Sequence, residues 1–307
     1  MKIGLFIRNG VVGNITLNKL LSDLIEMGYQ PVFFNTGEGY NAKADHDALN
    51  YVDHCETSLL RDVVSPFMKN YENKGTYLTV EDLAEKYQID LMDVPDVNSS
   101  DFRNMIIDDP DIVGGLCMRI TQIFKSETIE IFKEKGFLWN LHTGLLPKYK
   151  GVFIPYHSIE NNESHYGWTL HEIDKGIDTG GILSMDQNLL DPKKPILDTY
   201  LDMADKGVAM IMGALMFYSK HKRSPVPVSQ KTDHESYFTF PTEIEMRRWN
   251  SQGIRFSDDI VQTYLNLYTI PNTPERSALK NKLEKAISEF EHQEFQGITI
   301  TKGQLAA

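Results

Sequence analysis

The chain predicts an α/β fold with a mainly parallel sheet, and three observations carry that prediction. Short, continuously apolar runs, as expected of strands buried on both faces, alternate with segments whose apolar residues recur at helical spacing. The first strand, helix and second strand fall within residues 2–37, the spacing of a βαβ unit. With 307 residues, 41% hydrophobic and 24% charged, the chain has the length and composition for a substantial core.

The elements follow in order. "KIGLFI" (2–7) is the first buried strand, "RNGVVGN" a turn, and "ITLNKLLSDLIEMGY" a helix that stops at Gly28. "QPVFFNTG" (30–37) is the second strand. The turn with Gly10 and Gly13 is not G-x-G-x-x-G, and Asn35 stands where an acidic residue would close that strand. A dinucleotide cofactor is therefore set aside, although an anion at the helix N-terminus stays compatible. Residues 38–75 read as an irregular, polar insertion or flap with a weak helical pattern around "SLLRDVVSPFMKNY". Thr79 and Asp82 form a near capping box that opens the helix "TVEDLAEKYQ". "IDLMDV" is a short strand, "SSDFRNMIID" a helix, "PDIVGGLCM" (110–118) a buried strand, and "SETIEIFKEKG" a helix from Ser126 to Gly136. "FLWNLH" and "HYGWTL" are further strands. Residues 198–222 form one long amphipathic helix, and the chain from "PNTPERSALK" onward is polar and helical.

Charge and cysteine usage exclude several classes. The formal net charge is −12, and the densest basic stretch, "SKHKRSP", reads as a helix end, so the balance argues against nucleic acid as a partner. No apolar run is long enough to span a membrane, and the N-terminus reads as a strand rather than a signal peptide. Two cysteines, Cys55 and Cys117, give no disulfide framework and suit a reducing compartment, so the cytoplasm is expected. His157, His165 and His171 lack metal-ligand spacing and accompanying Cys, so they read as structural or surface residues and no metal is expected. No G-x-S-x-G elbow occurs. Trp139 and Trp168 read as core.

The chemistry-bearing stretch is "GFLWNLHTGLLPKYKG" (136–151). Asn140 and His142 stand two apart where a strand ends, and Gly144, Pro147 and Gly151 shape the loop that follows. Carbonyl transfer needs a donor aimed at a developing oxyanion and a group that moves protons near neutrality; an amide and an imidazole supply these. A carboxylate to orient the ring is available downstream in "HEIDKGIDTGGIL", from Asp174 or Asp178, and Asp178 before "TGG" is the better placed.

"NLHTGLLPKYKG" resembles the N-x-H-x-x-x-L-P-x-[YF]-[RK]-G motif of the 10-formyltetrahydrofolate-dependent formyltransferases, and "LHEIDKGIDTGGIL" resembles that family's second signature. The resemblance covers residues 1 to about 185. It implies a formyltransferase-type Rossmann-like catalytic domain over 1–190 and a mostly helical C-terminal region over 191–307 packed on the core. It further implies 10-formyltetrahydrofolate as donor and an amine as acceptor, with no metal. Asn140 and His142 would stabilise the oxyanion, while Asp178 would hold His142 and relay the amine proton. Met118, Arg119 and Ile120 of "CMRIT" would contact the folate, and Asp174 and Ile177 of the turn 172–178 would close the other side of its slot. Lys148, Lys150 and Gly151 would lie in the loop over the site, Lys150 replacing an Arg common in the family, a point charge in place of a bidentate fork.

The acceptor is the least legible part. "RNGVVGNITL" breaks the G-N-G-S-N-L phosphate cradle of the phosphoribosylglycinamide member, and a helical, Glu-rich C-terminal region is unlike the basic β-barrel of the methionyl-tRNA member. "ESYFTFPTEIEMRRW" resembles a segment of sugar-amine members, in which Tyr237, Phe238 and Phe240 would line an acceptor site or clamp the C-terminal region onto the core. The expectation is N-formylation of a small amine, an amino sugar or nucleotide-linked amino sugar first. Alternatives are the two members just named, a formyltetrahydrofolate hydrolase, and a non-catalytic folate-binding module. The start directly on the first strand is read against the hydrolase, which usually carries an N-terminal regulatory domain. Oligomeric state is open, a homodimer included.

Overall fold

The computed structural model describes residues 1–37, 46–72, 74–230 and 236–294. Seven strands form one sheet: β1 (Lys2–Ile7), β2 (Gln30–Asn35), β3 (Leu91–Asp93), β4 (Ile112–Met118), β5 (Leu138–His142), β7 (His165–Glu172) and β8 (Ile182–Leu189), in the order β3-β2-β1-β4-β5-β7-β8. Two short strands, β6 (Lys150–Gly151) and β9 (Tyr237–Phe238), pair with each other outside it. β1 to β5 are parallel, as the alternation predicts, whereas β7 and β8 run antiparallel and close one edge as a hairpin.

The side chains of β1 explain why the sheet is covered on both faces. Ile3, Leu5 and Ile7 enter one hydrophobic cluster and Phe6 the other, the two-residue period of a strand. Phe6 packs against Phe34, Phe102, Phe124 and Phe132 with ring centroids 5.1, 5.8, 5.2 and 5.6 Å away, under the helices Ser100–Asp108 and Ser126–Lys135. Gly4 is needed opposite Phe34, since a Cβ there would stand 2.5 Å from the ring. The other face is covered by the helices Val11–Glu26 and Ala204–His221. Trp139 and Trp168 are fully buried, as expected.

Two expectations change. The described part of 38–75 is not irregular: it forms the helix Asp47–Asp53, a π-helical stretch His54–Val64 and the helix Ser65–Met68. Cys55, Leu59, Leu60 and Val64 are buried there, and Tyr264 of the helix Ile260–Tyr268 donates to Cys55 O at 2.8 Å. Part of its polar composition is Asp53 and Glu56, which reach inward to Arg8 and Arg119. The helix expected over 198–222 is two, Ile196–Leu201 and Ala204–His221, interrupted at Asp202 and Met203. The break lets Tyr200 point to the cleft described below while the second helix lies along the sheet. The C-terminal region is otherwise helical, with Glu243–Ser251 and Pro274–Glu294 beside Ile260–Tyr268.

The sheet order reverses between β1 and β4, whose C-terminal ends deliver Arg8 and Arg119 side by side; β5 next to them delivers Asn140 and His142. In open α/β sheets that end is where ligands lie. Among the described residues, no helix is long and apolar enough to cross a membrane.

Candidate active site

Asn140 and His142, two apart on β5, point to one face. The antiparallel partner β7 sets His171 opposite Asn140 and Thr169 opposite His142, on the same face. Thr169 fixes the loop beyond β5: its hydroxyl donates to Gly144 O at 2.7 Å and accepts from Leu146 N at 3.2 Å. The loop then curls so that His142 Nε2–H donates to Tyr149 O at 2.6 Å. Gly144 is required by this approach, since a Cβ there would lie 2.7 Å from His142 Nε2 and 2.5 Å from Tyr149 O.

Asp178 arrives from the turn between β7 and β8, at a φ of 53°, in the left-handed region. Its carboxylate stands between the two histidines. Oδ2 is 3.5 Å from His142 Nδ1 and accepts from Gly151 N at 2.8 Å; Oδ1 is 3.5 Å from His171 Nε2 and 3.5 Å from Asn140 Nδ2. Asn140 Nδ2 also donates to His171 Nε2 at 3.1 Å, while His171 Nδ1–H donates to Glu172 O at 2.7 Å. These bonds assign the proton positions. His142 carries its proton on Nε2 and offers a lone pair at Nδ1 toward Asp178; His171 offers its Nε2 lone pair to the Asn140 amide.

The electrostatics agree with this. Burial, with His171 and Arg119 nearby, pushes the His142 imidazole below its ordinary value against the pull of Asp178, so it is neutral near pH 7. Burial alone would raise the Asp178 carboxyl, but the positive charge that His142 and His171 carry once protonated, with the Gly151 N–H, outweighs it and holds it well below the usual carboxylate range. A neutral base thus faces a fixed anion, which would stabilise the imidazolium once a proton is taken.

A cleft of about 380 Å³ opens over these groups. Its lining includes the apolar Ile120, Ile123, Phe124, Ile173 and Ile177 and the polar Thr121, Gln122 and Asp174. It also includes Arg8, Arg119, Tyr200, Phe153, Tyr237 and Phe240. Arg119 pairs with Glu56 and lies 4.6 Å over the Tyr200 ring; Arg8 pairs with Asp53 and donates to Thr57 Oγ1 at 2.5 Å. Glu56 and Thr57 belong to the π-helical stretch, so the segment read as a flap supplies the counter-charges of the cleft floor.

The structure brings Asn140, His142, Asp178, Arg119, Ile120, Asp174, Ile177, Gly151 and Tyr237 to this cleft. It does not bring Met118, Lys148 or Lys150. Met118 is turned into the core. Lys148 is drawn outward to Glu163. Lys150 is buried, and its strand alternation leaves Gly151, not Lys150, at the cleft. Asp174 caps its own turn, accepting from Gly176 N at 3.0 Å and Thr179 Oγ1 at 2.5 Å. The aromatic segment serves both uses foreseen for it: Tyr237 and Phe240 line the cleft, while Phe238 stacks on His157 and Tyr149 at 4.3 and 5.4 Å.

His171, which the sequence reads as structural or surface, is buried in the cleft wall against Asn140 and Asp178. The available signal was its place inside the second motif, but seeing its contact with Asn140 requires knowing that β7 pairs with β5. Among the described residues, no group of His, Cys, Asp and Glu is arranged to hold a metal ion.

Comparison with known proteins adds an independent line. Residues 110–215 match the family model described as Formyl transferase. Methionyl-tRNA formyltransferase of Finegoldia magna is 24% identical over 154 residues, 50% of this chain and 48% of that protein. The Synechococcus enzyme of the same name is 31% identical over 88 residues, 29% of this chain and 27% of its own length. The chain thus spans about half or less of these curated relatives. Among solved structures, an N-formyltransferase from Helicobacter canadensis, in complex with folinic acid and dTDP-3-aminofucose, is 18% identical over 98% of this chain and 85% of that one, with a TM-score of 0.52. WlaRD, a sugar 3N-formyl transferase solved with dTDP and 5-N-formyl-THF, is 23% identical over 78% and 69%, with a TM-score of 0.50. These two likenesses concern the fold. The family match includes β5 and the β7–β8 turn, which carry Asn140, His142 and Asp178, and over residues 110–215 the chain is similar to the formyl transferase family.

Proposed function

We propose that this protein transfers a formyl group from 10-formyltetrahydrofolate to the primary amine of a small acceptor, an amino sugar or nucleotide-linked amino sugar. The observation that carries the reading is the convergence of Asn140, His142 and Asp178 on one cleft from two elements remote in sequence. The folate would supply an activated acyl carbon and a leaving nitrogen. The apolar lining of Ile120, Ile123, Phe124, Ile173 and Ile177 fits a flat heteroaromatic ring, with polar groups at Thr121, Gln122 and Asp174.

The residues have separable tasks. The amine nitrogen forms a bond to the formyl carbon, and the carbon–nitrogen bond to the folate breaks. The Asn140 amide, held by His171, donates to the developing oxyanion. His142 Nδ1 is the lone pair that accepts the amine proton, and the resulting imidazolium is held by Asp178. Return of that proton to the leaving folate nitrogen completes the cycle with no net change in the protein. The tautomer refines the sequence expectation: neutral His142 acts first as a base and can donate to an oxyanion only after that proton transfer.

The rest of the cleft bears on the acceptor. Gly10, which caps helix Val11–Glu26, sits beside the acceptor oxygens Glu56 O and Thr57 Oγ1, 3.4 and 3.5 Å from where a Cβ would stand, an unfavourable flank for a phosphate. This argues against glycinamide ribonucleotide. Methionyl-tRNA is the second reading, favoured by the curated relatives; the helical C-terminal region and net charge of −12 speak against it. Aromatic Phe153, Tyr237 and Phe240 around a small cleft suit stacking against a sugar or base.

The test is tetrahydrofolate release from 10-formyltetrahydrofolate over a panel of amino sugars, nucleotide-linked amino sugars and methionyl-tRNA. Release that requires an amino sugar is expected. Release with methionyl-tRNA alone would establish the second reading, release with no acceptor would indicate a hydrolase, and no release with bound folate would leave a binding module.

A further inference from the structure

We propose that Gln230 is a positioning residue that holds Asp178 against His142; the inference rests on the formyl-transfer reading for its kinetic consequence but not for its geometry. Gln230 lies beyond residues 110–215, on a short strap that pairs with the start of β8. The strap is anchored at Val228, which exchanges two backbone hydrogen bonds with Ile182, both 2.8 Å. Two residues on, Gln230 turns back to the turn that carries Asp178. Its Nε2 donates to Asp178 O at 2.8 Å and to Gly180 O at 2.7 Å. Both partners are carbonyls, which accept only, so the amide orientation is fixed: the flipped amide would face oxygen with oxygen.

The two bonds clamp a part of the site that the local backbone does not favour. Asp178 is a non-glycine residue in the left-handed region, and such a conformation persists only where its surroundings determine it. Gly180 is pressed against β7, where a Cβ would meet Glu172 O at 1.8 Å. Gln230 thus ties the carbonyls on either side of Thr179 to a strap fastened to β8. Further along, Ser236 N–H donates to Lys148 O at 3.1 Å, Lys150 N–H to Ser236 O at 3.0 Å and Val152 N–H to Phe238 O at 3.0 Å. Gly151, in that same pairing, donates to Asp178 Oδ2. Asp178 is therefore held from both sides, through its carbonyl by Gln230 and through its carboxylate by Gly151. The opposite amide atom, Gln230 Oε1, is buried with no hydrogen-bond partner among the described residues, so the side chain serves here as a donor alone.

The experiment compares Gln230→Leu and Gln230→Glu with the unaltered protein. Gln230→Leu keeps the bulk and removes both donors; Gln230→Glu keeps the shape and, when ionised, sets an oxygen against two carbonyls. The expected kinetic result is a fall in kcat of about 10- to 100-fold, with KM for 10-formyltetrahydrofolate and Kd for 5-formyltetrahydrofolate within about twofold. A second readout needs no turnover: the titration of His142, followed by NMR of its ring nitrogens in the free protein and assigned by loss of the signals in His142→Gln. The groups facing His142 are Asp178, His171, Arg119 and the Tyr149 carbonyl, and of the charged groups Asp178 is the one that raises its proton affinity. A displaced Asp178 should move the His142 titration to lower pH in both variants. An unmoved titration, or equal losses in kcat and folate binding, would overturn the assignment. A shifted titration in a protein that transfers no formyl group would retain Gln230's role and overturn the proposed function instead.

Discussion

Gly151 donates its backbone N–H to Asp178 Oδ2 at 2.8 Å, so a backbone atom of the loop that follows β5 holds a carboxylate from the turn between β7 and β8. The bond depends on Gly151 having no side chain. Its φ is 96°, and a Cβ would stand 1.9 Å from Phe238 O.

Gly151→Ala is accordingly expected to push β6 off β9 and withdraw the N–H from Asp178. Turnover should fall by at least about tenfold. Steady-state kinetics, with circular dichroism to verify the fold, check this; full activity would show that the Gly151 bond is dispensable.

Asn140→Ala removes the donor assigned to the oxyanion and should lower kcat by about 100- to 1,000-fold. His171→Leu leaves the amide in place but unheld, so a smaller loss, about tenfold, is expected in kcat with little change in folate KM. The ordering of the two effects is the test. A larger loss in His171→Leu would give that ring a direct part in the chemistry.

Glu56 neutralises Arg119 beneath the cleft, and its side chain is only 3% exposed. Glu56→Ala would remove the buried counter-charge of that guanidinium and should destabilise the fold by about 3–5 kcal/mol. Chemical denaturation measures it. The double change Glu56→Ala with Arg119→Met should recover part of the loss.

Acid should weaken the fold through two histidines. Burial lowers His54, stacked 4.3 Å from the Phe290 ring, to about 4, and burial lowers His142 as well. A group whose folded pKa lies below its unfolded one contributes stability that is complete above the unfolded value, about 6.5 for His, and is lost as pH falls through the folded value. Denaturation midpoints should therefore drop between about pH 6.5 and pH 4, and His54→Gln should flatten that slope. Asp178, also depressed, adds its loss only in stronger acid.

A neutral His142 sets the rate profile too. Because its folded value lies below the ordinary one, kcat/KM should stay level from pH 8 down past 6.5 before falling on the acid side. An acid limb centred above 6.5 would contradict the proton assignment.

The sequence by itself determined the parallel sheet, since buried strands and amphipathic helices announce themselves by local periodicity. It also singled out Asn140, His142 and Asp178 as candidates, because the first two share a strand face and the third stands in a Gly-rich turn. Only the tertiary structure decided which neighbours complete them. His171 meets Asn140 through an antiparallel strand pair, Glu56 meets Arg119 across 63 positions, and Gln230 reaches Asp178 across 52. Such contacts carry no period along the chain: one hydrogen bond or ion pair constrains a single residue on each side. Tertiary packing likewise turned Lys148 outward to Glu163 and made a polar segment part of the core, because a charged residue's local sequence does not reveal whether its partner is water or a buried counter-charge.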